Sequence, residues 1–251
     1  YALHHHRTFS TPHKMFEAQS APSTDATTTT EDASSSLIAM SPQHFTPFPL
    51  KQVQQLTHNV KLFRFGLPSE KHITGASVAS VVLVMAEIDG KVEVRPYTPT
   101  STPDQAGYFD LMIKVYPNGK MSQHIDKMKV GDCLMVKGPL QKFVYQPNSK
   151  KQMGLIAGGT GLTPMYQLIR KVLDNPDDKT KISLLYANVT PDDIMLREEL
   201  EQLQAKHPDR FNVHFTVDRL LPETPKQEWK HDVGHVTRDM INKYIPASGP
   251  D

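Results

Sequence analysis

Met153-Gly154-Leu155-Ile156-Ala157-Gly158-Gly159-Thr160-Gly161-Leu162-Thr163-Pro164-Met165-Tyr166-Gln167-Leu168-Ile169-Arg170 is the stretch on which the reading of this sequence turns. Gly154 to Ala157 reads as a short buried strand. Gly158-Gly159-Thr160-Gly161 then forms a turn that only small residues permit. Pro164 suits the first turn of a helix, where its missing N–H would be unpaired anyway. Thr163 is placed as the N-cap, and Met165, Leu168, Ile169 and Val172 follow at helical spacing. Strand, glycine turn and helix start together make an anion site, because free amides and the helix dipole point at the turn. The run is neither a full G-x-G-x-x-G nor a Walker A loop, so taken alone it suits a structural αβ turn as well.

The chain has 251 residues, a net charge of +1 and 38% hydrophobic residues, which suits one or two globular domains. Near-neutral charge gives no reason to expect a nucleic-acid binder. The sole cysteine, Cys133, excludes an internal disulfide framework; lying in an apolar run, it reads as a buried, inert thiol. No stretch approaches the roughly 18 apolar residues of a membrane helix. The sequence begins with Tyr1, so a membrane anchor is expected only in a segment upstream of it.

Residues 1–44 differ from the rest, and the run from Ser20 to Ser36 is mostly Ser, Thr and Ala with Asp and Glu. Such a composition buries too little apolar surface to offset chain entropy, so disorder is expected. Its start, with Arg7, Lys14 and hydroxyls, weakly resembles the end of a mitochondrial presequence, but a plain linker is the better reading. Mitochondrial and endoplasmic-reticulum membranes, facing cytosol or intermembrane space, both stay open as locations.

From 45 to 149 the pattern becomes short alternating runs, including Pro49–Val53, Val60–Phe65, Val78–Met85, Tyr108–Tyr116 and Cys133–Lys137. Asp89-Gly90 is a strong hairpin turn leading to Val92-Glu93-Val94. These strands predict an antiparallel barrel or sandwich, interrupted by a short helix at Met121–Met128. From 150 to 251, strand and helix alternate. Strands are expected at 154–157, Ile182–Tyr186 and Asn212–Val217. Helices are expected at 164–173, Asp193–Lys206 and Val236–Tyr244. This is the βαβ texture of a parallel sheet.

Arg95-Pro96-Tyr97-Thr98-Pro99-Thr100-Ser101 offers a cation, an aromatic plane and several hydroxyls, the groups that hold a dinucleotide. It also reads as a rigid strand end with a solvated arginine. Asn118-Gly119-Lys120-Met121-Ser122 provides a turn, a helix start and a cation for a second phosphate contact, or simply a surface turn. Asp218 follows a strand, where an acid can accept bonds from ribose hydroxyls, although a loop aspartate is the simpler account. The 12 histidines show no metal-ligand spacing, and no G-x-S-x-G elbow supports serine hydrolysis.

These motifs, in this order, resemble the flavoprotein reductases of the ferredoxin-reductase superfamily, most closely the NADH–cytochrome b5 reductases. The resemblance is carried by Arg95–Pro99, Asp110–Tyr116, Gly119–Gln123, Gly158–Met165 and Tyr186-Ala187-Asn188, and it covers about Phe45 to Pro246. It implies a mixed fold: an FAD-binding six-stranded antiparallel β-barrel domain, then an NADH-binding α/β parallel-sheet domain, with the flavin between them. It implies Arg95, with Pro96 in the same motif, on the FAD pyrophosphate and Tyr97 against the isoalloxazine. Thr98 would bond the ring near its reactive nitrogen, and Met112 and Lys114 would line the cleft. Lys120, Met121 and Ser122 would hold the adenylate side. Thr163 would face flavin and nicotinamide, and Lys114 the nicotinamide nucleotide, so Thr98, Thr163 and Lys114 are the catalytic candidates. Gly158, Gly159, Thr160 and Gly161 would let NADH approach the backbone, and Asp218 would favour NADH by bonding the adenosine ribose.

Two departures accompany the resemblance. The family's Gly-Gln-His strand is replaced near Gly75–Val82 by Gly-Ala-Ser-Val-Ala-Ser-Val-Val, and the chain stops at Asp251. The second domain is therefore expected to lack its C-terminal strand and helix, with the Cys-Gly-Pro-Pro motif that borders the nicotinamide. The implied activity is hydride transfer from NADH to FAD, then single electrons to a haem protein such as cytochrome b5, by a monomer. Lys120, Lys127, Lys129, Lys142, Lys150 and Lys151 offer a basic face for an acidic partner, or an ordinary solvated surface. The alternatives are the reductase module of a nitrate-reductase-like flavohaem protein and a truncated flavin-binding protein without activity.

Overall fold

The computed structural model describes residues 37–222, 229–247 and 249. For residues 1–36 the expectation of disorder lies outside the described residues. Residues 37–44 are in place: β1 (Leu37–Ile38) pairs with β4 (His72–Ile73), Met40 is buried, and Ser41 O accepts from Gly138 N at 2.9 Å. Met40 enters the core with Ala39 packed beside it, while Leu37 and Ile38 stay exposed, so the segment is anchored ahead of Phe45 by Met40 and the β1–β4 pairing.

The first sheet is antiparallel and six-stranded. It contains β2 (Thr46–Gln55), β3 (Val60–Gly66), β5 (Val81–Ile88), β6 (Lys91–Tyr97), β7 (Tyr108–Lys114) and β8 (Cys133–Leu140), in the order β6-β5-β8-β2-β3-β7. The β5–β6 hairpin turns at Asp89 and Gly90, whose φ angles of 53° and 71° give the doubly left-handed geometry that a two-residue hairpin favours. Alternation decides what enters the barrel core. Phe48 and Leu50 of β2, Phe63 and Phe65 of β3, Val82 and Val84 of β5, Phe109 and Leu111 of β7, and Leu134 and Val136 of β8 all point inward. Cys133 starts β8 on the other face and is exposed, which corrects the buried thiol expected from its apolar run. In a period-2 element an apolar neighbour does not imply burial. Arg64 and Asp110, facing partners on β3 and β7, form a two-pronged ion pair at 2.8 Å that fixes the register there.

The strands β6 and β7 end the sheet and do not pair with each other. The chain beyond β6 comes back to β7, where Thr100 N donates to Asp110 O at 2.9 Å. α1 (Lys120–Asp126) follows β7, as the sequence predicts, and buries Met121, Ser122 and Ile125.

The second sheet is parallel, ordered β12-β11-β10-β9, from β9 (Gln152–Gly158), β10 (Lys181–Asn188), β11 (Phe211–Val217) and β12 (Asp232–Val233). α2 (Leu162–Asp174) and α3 (Arg197–Lys206) are the crossovers between its first three strands. α4 (Arg238–Tyr244) follows and is capped by Thr237, whose hydroxyl accepts from Met240 N; Tyr244 stacks on His214 of β11 at 3.6 Å. Two helix starts differ from expectation. α2 begins at Leu162 as a continuation of a 3₁₀ turn at Gly159–Gly161, so Thr163 is inside the helix; its hydroxyl donates to Thr160 O at 3.2 Å instead of capping. α3 begins at Arg197 rather than Asp193, because Ile194 is extended and Leu196 is left-handed at φ 56°. That irregularity drives Ile194 and Met195 into the core and frees Asp193 to reach across to the first sheet.

Phe109 is fully buried, stacked on Phe65 and edge-on to Phe48, each with ring centroids 5.4 Å away. Phe109→Ala is expected to lower the unfolding free energy in urea by about 3–5 kcal/mol, whereas Val92→Ala on the exposed hairpin should stay within about 0.5 kcal/mol of the parent.

Candidate functional site

The two sheets meet at a cleft of about 700 Å³. From the first sheet it is lined by Arg95, Pro96 and Tyr97 of β6, by Thr98, and by Met112 and Lys114 of β7. The first turn of α1 adds Lys120, Met121 and Ser122, and the second domain adds Thr160, Gly161, Thr163 and Pro164. The cleft is open because β6 and β7 stay unpaired at this side of the barrel, leaving two strand edges to flank a ligand. Gly158, Gly159 and Asp218 are outside this lining.

The side chains differ in what they have left to offer. Tyr97 is half-buried, and burial pushes its hydroxyl up to about 12, so it stays neutral. Ser122 Oγ donates to Gly119 O at 3.0 Å and accepts from Tyr116 N at 3.1 Å, which fixes the turn and leaves it limited capacity for a ligand. Thr163 is buried at the helix start. Tyr186, unassigned by the sequence reading, donates its hydroxyl to Gly159 O at 3.0 Å and so holds the glycine turn from beneath.

Charge in the cleft is arranged in two groups. Glu93, one strand period before Arg95, lies between Arg95 Nη2 at 2.8 Å and Lys120 Nζ at 3.2 Å. The hydrogen bond from Lys120, with the Arg95 charge, holds its carboxyl below the ordinary value. Both cations are therefore gathered at one place even without a phosphate. Across the seam, Lys114 Nζ donates to Asp193 Oδ1 at 2.9 Å, and Asn59 Nδ2 donates to the same oxygen at 3.3 Å. The other oxygen, Oδ2, accepts from Thr190 N and Oγ1. Burial alone would raise the Asp193 carboxyl, but these donors and the Lys114 charge outweigh it and hold it at about 2.

The residues fit a dinucleotide flavin. Paired cations suit a pyrophosphate, the neutral Tyr97 ring lies in the same cleft, and buried Met112 and Met121 supply apolar walls. The glycine turn fits a second nucleotide. Only Gly159, at φ 49°, needs a left-handed backbone; Gly158 and Gly161 have negative φ and nothing within 4 Å of where a Cβ would stand. Neither packing nor conformation asks for glycine at those two positions, as expected where a ligand must approach bare backbone. Asp218, following β11, instead has His235 Nδ1 3.1 Å from its Oδ1. It occupies the C-terminal edge of the parallel sheet, apart from the cleft, where nucleotide riboses bind in such sheets.

An antiparallel barrel and a parallel nucleotide sheet enclosing such a cleft define a flavin- and nicotinamide-dependent oxidoreductase. The chain matches the oxidoreductase FAD-binding domain over residues 47–145 and the oxidoreductase NAD-binding domain over 155–251. It belongs to the NADH–cytochrome b5 reductase family. It is 46% identical over 213 residues to NADH-cytochrome b5 reductase 1 of Lodderomyces elongisporus, an alignment covering 85% of this chain and 69% of that protein. It is 47% identical over 219 residues to an NADH-cytochrome b5 reductase-like protein of Arabidopsis thaliana, covering 85% of this chain and 65% of that one. Among solved structures, the cytochrome b5 reductase domain of Ulva prolifera nitrate reductase superposes with a TM-score of 0.78 at 38% identity, covering 85% and 86% of the two chains.

Asp193 is held lower in the folded chain than its ordinary 3.8, so its contribution is complete above that value and is lost as pH falls through about 2. Asp193→Asn should therefore cost on the order of 1–2 kcal/mol at neutral pH, and the difference from the parent should close between about pH 4 and pH 2 in denaturant titrations.

Proposed function

We propose that this chain is an NADH-dependent FAD reductase that serves a haem protein such as cytochrome b5. The observation that carries the reading is the cleft shared by Arg95, Tyr97, Thr98, Lys120 and Thr163, contributed by both domains. Bound FAD would supply the redox chemistry that couples a two-electron hydride donor to a one-electron acceptor. The chain binds, orients and shields. Arg95 and Lys120 neutralise the pyrophosphate, displacing part of their pairing with Glu93. Tyr97 and Thr98 set the ring plane, Met112 and Met121 exclude water, and Thr163 faces the place where the two rings meet. Gly158 to Gly161 leave room for NADH against backbone amides, and Asp218 bonds the adenosine ribose and repels a 2′-phosphate. Lys114 is held by Asp193, which aims its ammonium at the nicotinamide nucleotide's side of the cleft. No side-chain acid or base is needed for hydride transfer.

The exposed lysines at 127, 129, 142, 150 and 151 support an acidic partner surface, which would speed encounter at low salt, whereas Lys120 is taken up in the cleft. We assign the working form as a monomer. Among the described residues no helix is long and apolar enough to cross a membrane, and we assign any attachment to a mitochondrial or endoplasmic-reticulum membrane to a segment upstream of Tyr1. The nitrate-reductase-module alternative fits less well, because identity to that reductase domain is 38% against 46% to the Lodderomyces reductase.

Adding NADH anaerobically to FAD-loaded protein should bleach its yellow colour; an unchanged spectrum would favour a silent flavin-binding chain. Arg95→Ala should weaken FAD binding roughly 10–100-fold, the loss of a charge-assisted contact, as read by flavin fluorescence during dialysis. Undiminished flavin occupancy would remove Arg95 from the pyrophosphate. Asp218→Ala should narrow the preference for NADH over NADPH by on the order of tenfold, and a parent enzyme that uses both equally would refute the role given to Asp218.

A further inference from the structure

Gln167 lies one helical turn beyond Thr163 on the same face of α2 and is 4% exposed. Its amide is used at both ends, and both partners belong to the other domain. Oε1 accepts from Ala79 N at 2.7 Å, and Nε2 donates to Ser101 O at 2.9 Å.

The two partners are themselves fixed. Ala79 is left-handed at φ 58° in a tight turn closed by Ser80 N donating to Ser77 O, and Ser77 N donating to Ser80 Oγ. That turn runs directly into Val81, a cleft residue at the start of β5. Ser101 ends the Arg95–Ser101 motif and is tied to β7, where Asp110 N donates to Ser101 Oγ at 3.2 Å. One side chain of the nucleotide domain thus grips two rigid points of the barrel domain, two and three residues along the chain from the cleft residues Val81 and Thr98.

We infer that Gln167 is a positioning residue for hydride transfer, a clasp that sets Thr163 and the glycine turn against Tyr97 and Thr98. This rests on the function proposed above. Hydride transfer needs donor and acceptor rings in contact, and a displacement of about 1 Å can cost about a hundredfold in rate. A carboxamide is the side chain that offers one acceptor and one donor in a fixed fork. Glutamate keeps the acceptor for Ala79 N–H but turns a carboxylate oxygen towards the Ser101 carbonyl. Leucine keeps the approximate volume and takes the partner from both half-buried backbone groups.

Full-length FAD-loaded parent, Gln167→Glu and Gln167→Leu would be mixed anaerobically with NADH and with NADH deuterated at the transferred position. Flavin occupancy and the NADH concentration at half-saturation should stay within about twofold, while the limiting bleaching rate falls roughly 10–100-fold and its isotope effect rises. Hydrogen exchange at the Ala79 amide reads the clasp without turnover: protection should persist in Gln167→Glu and drop in Gln167→Leu. Unaltered protection in Gln167→Leu overturns the clasp. An unaltered limiting rate, or one lost only in step with flavin occupancy, overturns the positioning role. A parent that binds FAD and is not bleached by NADH overturns the function itself, and the clasp is then judged on the amide alone.

Discussion

The seam between the two sheets is held by polar groups that have left water, and everything the cleft can do depends on that. Gln167 reaches from α2 to Ala79 and Ser101, and Asp193 reaches from the turn before α3 to Lys114 and Asn59. An apolar seam could slide with little change in energy. Buried donors and acceptors cannot, since each one left unpaired costs roughly 1–3 kcal/mol. These contacts therefore specify a geometry, in addition to whatever stability they add. They stand at separate places along one boundary, so together they restrict rotation as well as separation.

The cleft also depends on what the barrel leaves undone. Strands β6 and β7 end the sheet, and the residues that would face each other in a closed barrel face the ligand space instead. Period-2 alternation places Glu93, Arg95 and Tyr97 on one face of β6, and Met112 and Lys114 two residues apart on β7. Glu93 gives this arrangement an internal counter-charge. It gathers Arg95 and Lys120 before any phosphate arrives, which limits the repulsion between the two cations.

Much of this was legible from residues alone where local chemistry is self-sufficient. Asp89-Gly90 announces its hairpin because left-handed backbone at both positions has few other sequences. The alternation of strand and helix after residue 150 announces a parallel sheet for the same kind of reason. Local rules failed where a neighbour far along the chain intervened. Thr163 has the composition of a cap, yet the 3₁₀ turn before it continues straight into the helix and removes the need for one. Asp193 reads as a helix start, but its carboxylate is drawn to Lys114, 79 residues away in sequence, and the helix waits until Arg197. Cys133 stands on the outer face because the phase of β8, not its apolar neighbours, decides which side chains are buried.

By itself the sequence determined the two kinds of sheet, their order along the chain, the glycine turn, and the family to which the ordered motifs point. These follow from side-chain periodicity, turn residues and spacing, all short-range properties. Only the tertiary structure decided that Arg95 and Lys120 share Glu93, that Lys114 is tethered to Asp193, that Asp218 stands with His235 apart from the cleft, and that Gln167 joins the two domains. Each of these is a pairing between groups distant in the chain, chosen by which partners burial and backbone geometry bring within reach, and no local pattern encodes that choice.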